Sequence, residues 1–152
     1  MDLPQTTEYA LRALAFIATL PPGRLASATG VAVETNVPVP YLHKVLRRLV
    51  NAGLLVVKKG RGGGFALASP PEEVRILDVL DAMDSPLSER CAFGFGRCDG
   101  NNPCLLHAAH DELRGAIRSW ASSTTLAMVR DYARTRPIDG RKQKVRKKGS
   151  KQ

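Results

Sequence analysis

Between Pro38 and Ala68 the chain sets out a basic-faced helix followed by a glycine-rich basic hairpin, an order that few folds accept. Leu42, Val45, Leu46 and Leu49 recur at i, i+3, i+4 and i+7, which predicts one buried helical face. His43, Lys44, Arg47 and Arg48 fall largely on the opposite side. The helix starts at Pro38 or Val39, where a proline costs nothing because first-turn amides lack intrahelical partners, and Asn51-Ala52-Gly53 closes it. Leu54 to Val57 then reads as a strand, Lys58-Lys59-Gly60-Arg61-Gly62-Gly63-Gly64 as a turn, and Phe65 to Ala68 as the returning strand. A nucleotide-binding glycine loop is excluded: GRGGG lacks the Lys-Ser/Thr of a P-loop, and a short apolar strand follows it where a phosphate-capping helix would be needed.

Two helices precede this unit. Leu11, Leu14, Ala15 and Ala18 predict one over about Thr7 to Leu20, stopped by Pro21-Pro22-Gly23. Ala26, Ala28, Val31 and Ala32 suggest a shorter one, with Glu34-Thr35-Asn36 as its exit turn. Helix, helix, then basic hairpin is a winged helix-turn-helix, whose second helix enters the DNA major groove. Glycines let the wing tip come close to a sugar-phosphate backbone, and Lys58, Lys59 and Arg61 supply the opposing charge.

The net charge of +9 is weaker support, because Arg141, Lys142, Lys144, Arg146, Lys147, Lys148 and Lys151 carry seven of the nine and leave the body near +2. A tail so basic and so poor in apolar residues does not fold alone and adds non-specific phosphate affinity. No stretch reaches the roughly 18 consecutive apolar residues of a spanning helix, and no secretory signal pattern opens the chain. A soluble, cytoplasmic protein is expected.

Ile76, Leu77, Leu80 and Met83 predict a short helix packed back on the winged domain. Beyond it a long helix is expected from about Cys104 to Arg134, with an apolar stripe of Leu106, Ala109, Leu113, Ala116, Ile117, Trp120, Leu126 and Val129 interrupted by the polar run Ser122 to Thr125. Thirty such residues span about 45 Å, more than a domain of this size covers with its own core. A second copy is the expected cover, and a symmetric dimer would read a palindromic site on double-stranded DNA.

The chain's three cysteines, Cys91, Cys98 and Cys104, lie within fourteen residues of one another. Three thiols cannot all pair within one chain, so shared ligation of a metal or cluster explains them better than a disulfide framework. Thiolates suit iron in clusters and also zinc, but the gaps of six and five residues lack the tight C-x2-4-C pairs of structural zinc sites and can wrap something larger than one ion. Neither a C-x-x-C pair nor a cofactor loop supports a redox enzyme, and no enzymatic activity or small-molecule substrate is expected.

In sequence, TEYALRAL at Thr7 to Leu14, VPYLHKVLRRLVNAGLL at Val39 to Leu55, GRGGGFALASPPEEV at Gly60 to Val74 and CLLH at Cys104 to His107 resemble the bacterial winged-helix regulators that include NsrR, IscR and RirA. The resemblance runs from about Leu3 to Arg134. It implies a homodimer that binds promoter DNA and carries an iron-sulfur cluster on the three cysteines plus one further ligand. His107 corresponds to the histidine that completes the IscR-like site, and Glu8 to an acidic residue that reaches the cluster from the partner subunit in NsrR-like members. The first cysteine gap is one residue longer than is usual there, which leaves [2Fe-2S] and [4Fe-4S] both open. The resemblance also places Val39, Pro40, Tyr41, His43 and Lys44 at the base-facing start of the recognition helix and Arg47 near phosphate. Pro38 and Pro40 replace hydroxyl-bearing positions of the IscR-like branch, so its operator does not transfer.

The expected architecture is mainly α with a small β wing: a winged helix-turn-helix domain over 1–84, a cysteine loop over 85–103, a dimerisation helix over 104–135 and a disordered basic tail over 136–152. The resemblance implies a signal of nitric oxide, redox state or iron status; the alternative is a cluster-free or zinc-containing transcription factor of the same fold.

Overall fold

The computed structural model describes residues 3–84, 91, 93–96 and 100–135. Cys98 and the basic tail lie outside them. Six helices and one two-stranded sheet are present among the described residues.

Helix α1 (Gln5–Thr19) starts at Pro4, whose carbonyl accepts from the Thr7 and Glu8 amides at 2.8 and 3.1 Å. It ends because Leu20, preceding a proline, is held extended with ψ 149°. Helix α2 (Ala28–Thr35) is capped by the Ser27 hydroxyl, which accepts from the Gly30 amide at 3.0 Å, and exits through Asn36 in the left-handed region. Helix α3 (Val39–Asn51) then buries Leu42, Val45, Leu46 and Leu49, as the i, i+3, i+4, i+7 pattern predicts. These side chains join Ala10, Leu14 and Ile17 of α1 and Val31 of α2 in the main core.

Strands β1 (Leu55–Lys58) and β2 (Gly64–Leu67) pair antiparallel, with Leu55 opposite Leu67 and Lys58 opposite Gly64. The first strand begins one residue later than expected because the Leu54 amide closes α3, donating to the Leu49 carbonyl at 2.9 Å. Ala26 exchanges both backbone hydrogen bonds with Phe65, at 2.9 and 2.8 Å, and so ties the wing to the start of the helix-turn-helix.

Helix α4 (Ile76–Ala82) packs on the winged domain through Val79 and on α5 (His107–Ser123) through Ile76 and Leu80, which meet Ile117 and Ala121. The single helix expected from Cys104 to Arg134 is two helices, α5 and α6 (Leu126–Thr135). Ser122, Ser123 and Thr124 hydroxyls donate to the carbonyls of Ser119, Trp120 and Trp120, which offers the backbone an alternative to helix. Thr124 is extended, and the Leu126 and Ala127 amides that open α6 donate to the Val74 and Pro71 carbonyls at 2.8 and 2.9 Å. The break lets α6 lie along α1, with Leu126 in the main core. No helix among the described residues is long and apolar enough to cross a membrane.

Candidate nucleic-acid interface and thiol site

The residues expected to meet DNA share two neighbouring elements. Pro38 and Pro40 fix the start of α3, and because its buried face is fully used by the core, Val39, Pro40, Tyr41, His43, Lys44 and Arg47 are left exposed. Tyr41 is not free to swing: its ring lies 6.3 Å from that of Tyr9, at 57°, in the edge-to-face range, while half of its surface stays open. Arg48, one turn from the end of α3, is tied to Asp84. Sequence reasoning missed this pairing, which joins residues thirty-six apart.

At the wing, Lys58 ends β1 and Lys59 and Arg61 stand exposed in the turn. Gly60 and Gly62 have positive φ (94° and 69°) with open space around them, which suits a tip that approaches another surface. Gly63 is required for a different reason. A Cβ there would sit 2.2 Å from the Lys58 carbonyl oxygen, so this glycine shapes the turn itself.

The thiol site is built on a turn. The Cys91 amide donates to the Gly96 carbonyl and the Gly94 amide to the Cys91 carbonyl, both at 2.9 Å, with Gly94 and Gly96 in the left-handed region. This curls the backbone about Cys91, which is buried. The backbone amides of Phe93 and Phe95 hold the Cys91 thiol below its usual range against the cost of burial, and the Cys104 thiol and Gly94 amide add to the effect. Amides converging on one sulfur form an anion-binding nest. Cys91 and Cys104 are thus neighbours, two of the three cysteines brought together; Cys98 lies outside the described residues.

Cys104 sits just before α5, and its carbonyl accepts from the His107 amide at 3.0 Å, so the two residues share the turn that opens the helix. His107 is half-buried. Glu8 pairs with Arg12 one turn along α1. Phe93 and Phe95 pack on each other at 6.0 Å, and both stay open to solvent. Among the described residues no three His, Cys, Asp or Glu side chains gather in a metal-holding group. Gly94 and Gly96 were the available sequence signal for the nest, since a C-x2-G-x-G run favours a tight turn at a cysteine.

A helix-turn-helix with a tethered basic wing defines a DNA-binding protein. Residues 3–131 match the family described as Rrf2, iron-dependent transcriptional regulator. The chain belongs to the Rrf2 family of transcriptional regulators. It is 33% identical over 129 residues to a protein of Aquifex aeolicus named as an HTH-type transcriptional regulator, covering 83% of this chain and 89% of the relative. Among solved structures it is similar to CymR, the global cysteine regulator of B. subtilis (TM-score 0.71, 23% identity, 87% of this chain and 98% of that one). It is also similar to T. potens IscR (TM-score 0.70, 19% identity, 88% of each chain). The relatives and fold neighbours are regulators, not enzymes.

Proposed function

We propose that this regulator acts as a cytoplasmic homodimer that binds palindromic promoter DNA and changes its affinity in response to nitric oxide, redox state or iron status. Cys91, Cys98 and Cys104 would hold an iron-sulfur cluster, with His107, or Glu8 of a second copy, as the fourth ligand. The observation that carries this reading is the buried Cys91, curled into a turn that its own amide closes on the Gly96 carbonyl and set beside Cys104. Amide donors stabilise anionic sulfur, and thiolate is the form that ligates iron. When bound, the cluster would supply the centre that reacts with the signal.

The chain's own residues do the rest. The turn favours the thiolate form of Cys91, and Cys104 lies with His107 in the turn that opens α5, so a change at the sulfurs would be felt by that helix. On the DNA side, Lys44 and His43 would meet base edges, Val39 and Tyr41 would add apolar contact in the groove, and Arg47, Lys58, Lys59 and Arg61 would meet phosphates. The dimer reading rests on Leu106, Ala109, Leu113, Ala116 and Trp120, an exposed run at alternating spacings of three and four that the protein's own core leaves uncovered.

The test is anaerobic purification of the wild type and Cys91→Ser, with iron, sulfide, zinc and visible absorption measured on both. Iron with sulfide and a coloured wild type, lost in Cys91→Ser, is the expected result. A colourless wild type with stoichiometric zinc, unchanged by reconstitution, would replace this reading with the zinc-containing regulator.

A further inference from the structure

A groove of about 720 Å3 lies away from both the recognition helix and the thiols, between the end of α1, the segment leaving β2 and the outer end of α6. Its volume falls in the range of small-molecule sites. Ile17, Leu20 and Leu67 supply apolar wall, and Pro21, Pro22, Pro70 and Pro71 form much of the rim. Proline carries no amide hydrogen, so this rim offers few backbone donors and little freedom to rearrange. Donors for a ligand must come from side chains.

Three guanidinium groups line the groove, Arg24, Arg130 and Arg134, against the single carboxylate of Glu72. Arg130 is already engaged, with Asp131 at 2.9 Å and Glu72 at 3.4 Å. Arg134 has only a loose contact of 3.7 Å to Asp131. Arg24 is exposed, and its side chain takes no hydrogen bond or ion pair among the described residues. An apolar-walled, proline-rimmed groove with two under-used guanidinium groups matches a small organic anion with an apolar body.

We propose that this groove binds an amphipathic organic carboxylate or sulfonate, its anionic head between Arg24 and Arg134 and its apolar body against Ile17 and Leu20. The site is independent of the cluster reading. One wall is the strand end of the wing and the other is α6, so an occupant touches both the DNA-binding hairpin and the C-terminal helices.

The experiment uses the full chain with anilinonaphthalene sulfonate as a fluorescent probe and octanoate as competitor. Saturable binding displaced by octanoate is expected. The double variant Arg24→Gln, Arg134→Gln should weaken it roughly tenfold, the sum of two partly exposed charge contacts. Ala68→Trp, at an exposed position on the groove, should abolish it by filling the space and keeps the test sound if the arginine variant fails to fold. Circular dichroism confirms folding of each. Absence of saturable binding, equal affinity in a folded Ala68→Trp, or loss caused instead by Trp120→Ala, which would mark the α5 stripe as the probe's site, each overturns the proposal.

Discussion

The guanidinium of Arg48 donates to the Asp84 carboxylate at 2.6 Å, joining the last turns of the recognition helix to a residue two positions beyond α4, on the way to the cysteines. Asp84 adopts a positive φ of 46°, a conformation that Asn and Asp tolerate better than most side chains. The pair is exposed, so its worth to stability is about 0.5 kcal/mol and its greater consequence is to occupy a cation on the helix proposed to meet DNA.

Asp84→Asn should therefore preserve the backbone, cost little stability and free Arg48 for phosphate. Non-specific DNA affinity should rise, and the slope of log affinity against log salt should steepen by about one unit, the signature of one further neutralised phosphate. Fluorescence anisotropy across a salt series measures both. Higher affinity with an unchanged slope would mean that the lost Asp84 charge acts at long range and that Arg48 does not reach DNA.

The wing glycines separate into two kinds, and substitution should tell them apart. Gly63→Ala brings a Cβ within 2.2 Å of the Lys58 carbonyl oxygen and 2.8 Å of that of Gly60, both backbone atoms that cannot swing aside. Loss of the turn and of about 1–3 kcal/mol is expected, with DNA affinity falling alongside. Gly62→Ala meets open space and carries only the cost of its left-handed φ of 69°, about 1 kcal/mol. Urea unfolding of the two variants side by side decides it. Equal effects would refute the distinction.

How far the sequence disclosed this molecule depends on how local the deciding interactions are. The face of α3 was legible because Leu42, Val45, Leu46 and Leu49 all point to one core, and periodicity alone carries that information. The break between α5 and α6 was signalled by Ser122 to Thr125, yet whether such a run ends a helix or merely decorates it is decided by the Val74 and Pro71 carbonyls, some fifty residues away. The cysteines were legible as a group, whereas the amide nest about Cys91 depends on the dihedral angles of Gly94 and Gly96. The groove was hidden entirely, since Arg24 and Arg134 come to one groove only through tertiary packing.

The nest also predicts a pH dependence. Its amides favour the thiolate, so the folded-state pKa of Cys91 lies below the unfolded reference of 9.0. A depressed pKa adds stability that is fully present above the unfolded value and is lost as pH falls through the folded one. In metal-free protein with Cys98 and Cys104 replaced by serine, ultraviolet thiolate absorbance should still titrate below the ordinary thiol range, because the leading contribution is the Phe93 amide and not the Cys104 thiol. Stability to urea should rise with pH across the same interval. An ordinary thiol titration in that variant would place the cause in Cys104 alone.

The exposed stripe on α5 yields the last expectation. Leu113 is half exposed at the middle of the run from Leu106 to Trp120, while Ile117 and Ala121, on the adjoining edge of the same apolar stripe, are buried against Ile76 and Leu80 of α4. The helix thus spends one edge of a broad apolar stripe on its own domain and leaves the other edge bare, as a helix with a partner does. Leu113→Glu puts a charge at the centre of that bare edge. The fold should survive, since Leu113 lies outside both core clusters, and sedimentation should shift from dimer to monomer. Binding to a palindromic site should weaken by roughly a hundredfold as the two half-sites are no longer engaged together, while binding to a single half-site stays as it was. A variant that remains dimeric would move the interface off this face of α5.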